Sequence, residues 1–258
     1  MDLGIGNLRV LVTAGAAGIG LETVRAFVRE GAKVHLCDVD RTALEAVKAS
    51  DPHATQSVCD VADRSQVQTL FAEALGALGG LDCLVNNAGI AGPTGPIEEI
   101  DPNEWDRCLA VCITGHFNCT RLAVPHLRKS SNASIVNLSS AAGKFGFPNR
   151  SPYAAAKWGV VGFAKTVAME LGAHKIRVNA ILPGVVEGDR IRRVFEAKAK
   201  LAGKRMEDLR AAAVAQASIK DFIQPQQLAD LIVFLSSPRA RTISGQALSV
   251  DGDLQALI

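Results

Sequence analysis

Tyr153 and Lys157 stand in a Tyr-x-x-x-Lys spacing within SPYAAAKWG, thirteen residues after Ser140, the second serine of a pair that closes an apolar run. On a helix this spacing projects both side chains from one face, a turn apart. An ammonium so placed favours the ionised form of a phenol, which by itself, with a pKa of about 10, exchanges protons poorly at neutral pH. The chemistry suggested is acid–base proton exchange. A surface ring beside a solvated lysine has the same spacing, so the surroundings must decide.

Upstream, Thr13-Ala14-Gly15-Ala16-Ala17-Gly18-Ile19-Gly20 follows a β-branched run and opens a helical stretch. Glycines in such a turn let the backbone approach a pyrophosphate, and the helix N-terminus supplies donors and positive potential. Gly15, Gly18, Ile19 and Gly20 are therefore candidate dinucleotide contacts. The strand before and the helix after favour this over a plain structural turn. Asp38 ends the next strand-like run. A carboxylate there accepts from the hydroxyls of an adenosine ribose and repels a 2′-phosphate, and Ala16 and Ala17 stand where Arg or Lys would attract one. The expected cofactor is NAD rather than NADP. Asp60, ending a third run, either accepts from the adenine amino group, the favoured reading, or caps the following helix.

These groups need a frame. Strands are expected over 8–13, 33–38, 55–61, 81–89, 133–140, 175–184 and 246–252. Helices are expected over 19–30, 41–49, 64–78, 103–129, 152–172, 189–216 and 225–235. Such alternation predicts an α/β protein with a parallel sheet covered on both faces. The 258 residues show no linker or internal repeat and read as a single domain, and 48% hydrophobic with 21% charged residues is enough for a large core and argues against disorder. A net charge of +2 gives no reason to expect nucleic acid or an anionic membrane as partner. The N-terminus lacks the layout of a secretory leader, and no apolar run is long enough to span a bilayer. Cysteines 37, 59, 83, 108, 112 and 119 lie in apolar stretches and read as reduced core thiols, so the cytoplasm is the expected compartment.

TAGAAGIG, Asp60-Val61, the NNAG run at 86–89, Ser140, YAAAK at 153–157, RVNAILPG at 177–184 and SGQALSVDG at 244–252 together resemble the short-chain dehydrogenase/reductase family, across nearly the whole chain. The resemblance implies a Rossmann-like doubly wound fold with a seven-stranded sheet, assembled as a homotetramer or homodimer. It implies Tyr153 as catalytic acid/base, Ser140 as its partner and Lys157 as the residue that binds the nicotinamide ribose. Ser140 is preferred to Ser139 because strand alternation lets only one face the crevice, and because its spacing to Tyr153 matches the family. Asp60 and Val61 are implied cofactor contacts. Asn86, Asn87, Ala88 and Gly89 resemble the turn that steadies the central sheet and passes the cofactor ribose. Pro183 and Gly184 resemble the turn beside the nicotinamide, with the Val186 backbone placed for its carboxamide. Residues 186–222 resemble a substrate lid.

Three positions depart from the family pattern. Ala14 replaces the first glycine of the turn. Gly188 stands where many members carry Thr, which removes one hydrogen bond worth about 0.5–1.5 kcal/mol. Cys112 stands where the family usually has the Asn that joins Ser, Tyr and Lys in a tetrad. A thiol cannot copy the amide, which would slow turnover, but Tyr153, Ser140 and Lys157 are intact, so activity is expected to persist. Cys108, Cys112, His116 and Cys119 form a helical stripe that superficially resembles a metal site. Eleven residues of helix rise about 16 Å, whereas zinc ligands lie within about 2.3 Å of the ion, so core thiols are expected and no metal.

The basic stretch 189–213 can meet a carboxylate, a sulfonate or a phosphopantetheine carrier, although a solvated amphipathic face is favoured. Lys144 and Arg150 are further candidates for pocket charge. The expected function is an NAD-dependent oxidoreductase of small secondary alcohols or ketones, 3-oxoacyl-reductase-like. The alternatives are a sugar, polyol or hydroxysteroid dehydrogenase, or a low-turnover dinucleotide-binding regulatory protein.

Overall fold

The computed structural model describes residues 2–257. Its strands are β1 (Arg9–Thr13), β2 (Lys33–Asp38), β3 (Thr55–Val58), β4 (Cys83–Asn86), β5 (Ser134–Leu138), β6 (Arg177–Pro183) and β7 (Ala247–Val250). They form one sheet in the order β3-β2-β1-β4-β5-β6-β7, with every neighbouring pair parallel. The central strands β4, β5 and β6 are buried at every residue, as expected where helices cover both faces. The edge strands β3 and β7 are four residues each and half exposed.

The helices are α1 (Gly18–Arg29), α2 (Arg41–Ser50), α3 (Arg64–Leu78), α4 (Pro102–Leu109), α5 (Gly115–Leu127), α6 (Ser151–Leu171), α7 (Asp189–Ala202), α8 (Met206–Ala215) and α9 (Pro225–Ser236). Alternation within β1 divides the core between the two faces. Val10 and Val12 pack with Val24 and Phe27 of α1 and Leu228 and Ile232 of α9. Leu11 packs on the other face with Leu70 of α3 and Ala123 of α5. Chain order reverses between β1 and β4, which opens a crevice at their carboxyl ends, where sheets of this kind bind ligands. Among the described residues no helix is long and apolar enough to cross a membrane.

The structure corrects four expected boundaries. The strand expected over 55–61 ends at Val58, because the chain turns at Asp60 and Asp63 caps α3 by accepting from Ser65 and Gln66 N–H groups. The strand expected over 81–89 is confined to Cys83–Asn86. The helix expected over 103–129 is interrupted by a π turn at Ala110–Thr114, where Gly115 N–H donates to the Ala110 carbonyl. The helix expected over 189–216 is two, broken at Gly203, whose φ of +61° closes α7 in the left-handed conformation.

Two buried histidines make stability depend on pH. His35 on β2 shares hydrogen bonds with Thr55 Oγ1 and Ser57 Oγ of β3, and burial brings its pKa down to about 4 against the opposing pull of Glu73. His116 on α5 comes down to about 3 through burial and the neighbouring Lys157, despite its hydrogen bond with the Ala88 carbonyl. Both stay neutral in the folded chain and protonate near 6.5 in the unfolded one, so the unfolded chain binds more protons below pH 6.5. Stability is therefore full above that pH and falls as pH drops toward 4. Urea unfolding should show a loss of about 2 kcal/mol per histidine between pH 7 and pH 5. His35→Gln should remove its share of that slope.

Candidate active site

The end of β5 and the first turns of α6 bring together the residues picked out by spacing. Lys157 is 2% exposed, and its Nζ donates to the Leu138 carbonyl at 2.7 Å. The same Nζ lies 5.7 Å from the centre of the Tyr153 ring. The ammonium is thus fixed between strand end and phenol rather than free in solvent. Ser139 is buried and its hydroxyl donates to the Lys157 carbonyl at 2.7 Å, which ties α6 to β5. Ser140 points the other way and is partly exposed. Its Oγ accepts from Ala142 N–H at 3.1 Å, which leaves its own O–H to donate outward. Alternation along the strand therefore divides the two serines as expected.

The glycine turn lies across the crevice from this group. Gly15 abuts β2: a Cβ there would sit 2.7 Å from Leu36 Cβ. Ala14 adopts a φ of +50° in place of the expected glycine. Its carbonyl accepts from Asn87 Nδ2 at 2.9 Å, and a Cβ on Gly20 would stand 2.0 Å from that oxygen. Thr13 fastens the turn to β4: its Oγ1 accepts from the N–H groups of Asn87 and Ala88. Sequence reasoning gave Thr13 no role, and only its place at the β1 end signals one. No side chain caps α1 at Ala17, so the first N–H groups of Gly18, Ile19 and Gly20 have no side-chain acceptor. Asp38 closes this cradle, its Oδ2 accepting from Ala16 N–H at 3.2 Å. An uncapped helix start, a glycine that admits no Cβ and a carboxylate at the next strand end fit a dinucleotide.

An L-residue in the left-handed region costs about 1–2 kcal/mol, and a glycine there gives back about 0.5–1 kcal/mol through the flexibility of the unfolded chain. Ala14→Gly should therefore stabilise the protein by about 0.5–1 kcal/mol, read as a higher urea midpoint at unchanged slope.

Asn86 steadies the sheet by donating to Thr120 and Asn137. Ala88 and Gly89 lead from β4 toward Lys157, and a Cβ on Gly89 would lie 3.4 Å from Lys157 Nζ and 3.6 Å from Cys112 Sγ. Cys112 thus occupies the place where the fourth tetrad member was expected. Its Sγ accepts from Ile90 N–H and lies 3.4 Å from the Ile90 carbonyl, to which it can also donate. Its thiol is made more acidic by a hydrogen bond from Cys108, against the effect of burial, with help from the Lys157 ammonium. The stripe on this helix serves two regions. Cys108 and Cys112 pack with Ala156 and Tyr153, while Cys119 joins Cys37 and Cys59 in the core under the sheet. All six cysteines are free and buried.

Asp60 neither caps α3 nor stands alone: its carboxylate pairs with Arg107 at 2.8 Å and accepts from Ala62 N–H. Val61 is buried over Gly115, and its carbonyl accepts from Asn118. On the far side, Pro183 ends β6, and a Cβ on Gly184 would meet Asp251 at 2.7 Å, so the two backbones touch. Val186 forms a parallel bridge with Ile223 that uses the Val185 carbonyl and Glu187 N–H, which turns the N–H of Val186 itself to the other side. Gly188 has a φ of +140°, a conformation closed to the threonine of the family pattern. Lys144, a candidate for pocket charge, instead pairs with Asp251 at 2.7 Å and donates to Ser249. Arg190, at the start of α7, donates to the Gly89 carbonyl at 2.6 Å and draws that helix across the site.

A family model described as enoyl-(acyl carrier protein) reductase matches residues 14–254. The chain is 35% identical over 252 residues to the 3-oxoacyl-(acyl-carrier-protein) reductase FabG of Thermotoga maritima, covering 95% of this chain and 96% of that one. It superposes on the crystal structure of levodione reductase with a TM-score of 0.88 at 30% identity, over 96% of this chain and 97% of the other. An actinorhodin polyketide ketoreductase variant crystallised with NADPH gives a TM-score of 0.88 at 32% identity, over 94% and 95%. The chain belongs to the short-chain dehydrogenase/reductase family, oxidoreductases that bind a nicotinamide dinucleotide and act on alcohol and ketone groups.

Proposed function

We propose that the chain is an NAD-dependent, 3-oxoacyl-reductase-like oxidoreductase that interconverts a secondary alcohol and its ketone, with Tyr153, Ser140 and Lys157 as its catalytic residues. The observation that carries this is the buried Lys157 ammonium held between the Leu138 carbonyl and the Tyr153 ring, beside a serine whose O–H is turned outward. The nicotinamide, when bound, supplies or takes the hydride at the reacting carbon. Tyr153 gives its phenolic proton to the substrate oxygen in reduction and takes it back in oxidation. Ser140 donates to the same oxygen and holds it in place. Lys157, with one N–H on Leu138, keeps two more for the cofactor ribose and the neighbourhood of the phenol. Cys112, engaged with the Ile90 backbone, supports the site without exchanging the proton.

The glycine turn, with Asp60, Val61 and the Asn87–Gly89 run, would hold the dinucleotide. Pro183, Gly184 and Val186 would flank its nicotinamide end, and 186–222 would close over the substrate. NAD is favoured because Asp38 faces the Ala16 N–H with no Arg or Lys in the turn, so a 2′-phosphate would meet a carboxylate and no cation. Exposed Phe117 on α5 and Trp158 and Met169 on α6 support pairing of copies through that face.

The test is a spectrophotometric screen with NAD and NADP against secondary alcohols, polyols and 3-hydroxyacyl thioesters. The expected preference for NAD in kcat/KM is about 100-fold or more, and Asp38→Ser should cut it to within about tenfold. Retained NAD binding without turnover of any substrate would instead favour a regulatory protein.

A further inference from the structure

Arg150 is the largest fully buried side chain of the described structure, 1% exposed, and no carboxylate pairs with it. Its Nη2 donates to the Ala91 carbonyl, while Nε and Nη1 have no partner. The guanidinium carbon lies 5.2 Å from the centre of the Tyr153 ring and 5.3 Å from that of Phe147.

Arg177 shows what a purely structural buried arginine looks like in this chain. It is 5% exposed, and its two terminal nitrogens reach Leu235, Ala240 and Ser236 carbonyls and Asn132 Oδ1. An uncompensated buried guanidinium is costly, and Arg150 alone of the two is left with unused donors. It is also the one stacked on the tyrosine of the site. A second cation, Arg190, reaches in from α7 to the Gly89 carbonyl, and the Lys157 ammonium lies 5.7 Å from the centre of the same Tyr153 ring.

We propose that Arg150 is a substrate-binding residue, whose unused donors hold the carboxylate of a compact hydroxy or oxo acid, with Arg190 as a second cation. A guanidinium fork matches the planar acid group in a way that a lone ammonium does not. The contact between Arg150 and the Tyr153 ring sets the acid group only a few bonds from the reacting carbon, so short hydroxy acids fit better than long-chain alcohols. This inference rests on the oxidoreductase reading for the identity of the reacting carbon, but the anion site itself can be tested without turnover.

Calorimetry on the full chain saturated with NAD, using butyrate and butyramide as unreactive probes, separates the two. Butyrate should bind about tenfold to a hundredfold more tightly than butyramide. Arg150→Met should abolish that difference while NAD binding and the melting temperature hold, and Arg190→Gln, on an exposed helix start, should weaken butyrate several-fold. Should Arg150→Met fail to fold, the wild-type comparison and Arg190→Gln still decide. Equal binding of the two probes to the wild type, or an unchanged preference in a folded Arg150→Met, overturns the proposal. Oxidation of 3-hydroxybutyrate and of its amide is then compared. Probe discrimination without oxidation of any alcohol leaves the anion site standing and removes the oxidoreductase reading; equal oxidation of acid and amide with no probe discrimination does the reverse.

Discussion

Tyr153→Phe should bind NAD as the wild type does and turn over alcohols or ketones about 10²- to 10⁴-fold more slowly. The substitution keeps the ring that packs with Cys108, Cys112 and Ala156 and that stacks with Arg150 and Lys157, and removes only the oxygen. Loss of rate therefore reports loss of the proton carrier rather than of packing. Tyr153 is the only tyrosine in the sequence, so no second phenol can substitute for it. The check is steady-state turnover with NAD alongside a direct titration of cofactor binding. A phenylalanine variant with full activity would remove Tyr153 from the mechanism.

The second large effect belongs to Gly20→Ala. The added Cβ would lie 2.0 Å from the Ala14 carbonyl oxygen and 2.6 Å from Asn87 Nδ2. Neither neighbour is free to retreat. Ala14 already holds a left-handed conformation, and Asn87 is bound to both the Thr13 and Ala14 carbonyls. The turn must open to admit the methyl group, at a cost of about 3 kcal/mol in stability, at the upper end for overpacking. Because the same turn presents the N–H groups of α1, the affinity for NAD should fall about 100-fold. Urea unfolding and a fluorescence titration with NADH measure the two losses separately. An intact cofactor affinity would show that the turn does not carry the pyrophosphate.

Much of this arrangement is legible in the sequence. Period-two alternation at the end of β5 distinguishes Ser140 from Ser139, and the structure turns one outward and the other onto the Lys157 carbonyl. The β-branched runs locate the parallel strands because both faces of such a sheet are apolar. What escaped was long-range. Nothing local distinguishes Lys144, tied to Asp251 across the sheet end, from a lysine facing a pocket. Arg150 has the composition of a surface residue and becomes buried only because Phe147, Tyr153 and the Ala91 segment converge on it. The π turn at Ala110–Thr114 was hidden for a related reason: no glycine or proline marks it, and its extra residue sits where the two halves face different partners.

That turn acts as a phase shifter in the helix. Each α-helical residue advances the direction of its side chain by about 100°, and a π turn holds one residue more than a regular turn. The half before it aims Cys108 at the site, while the half after it aims Cys119, Ala123 and Leu127 at the sheet. Deleting a single residue within 110–114 would restore an unbroken helix, with helical content unchanged in circular dichroism, yet leave the two halves out of step. One of them would have to rotate its apolar stripe away from its partner. In this segment the irregular helix is the working one, and a more regular helix would be the lesion.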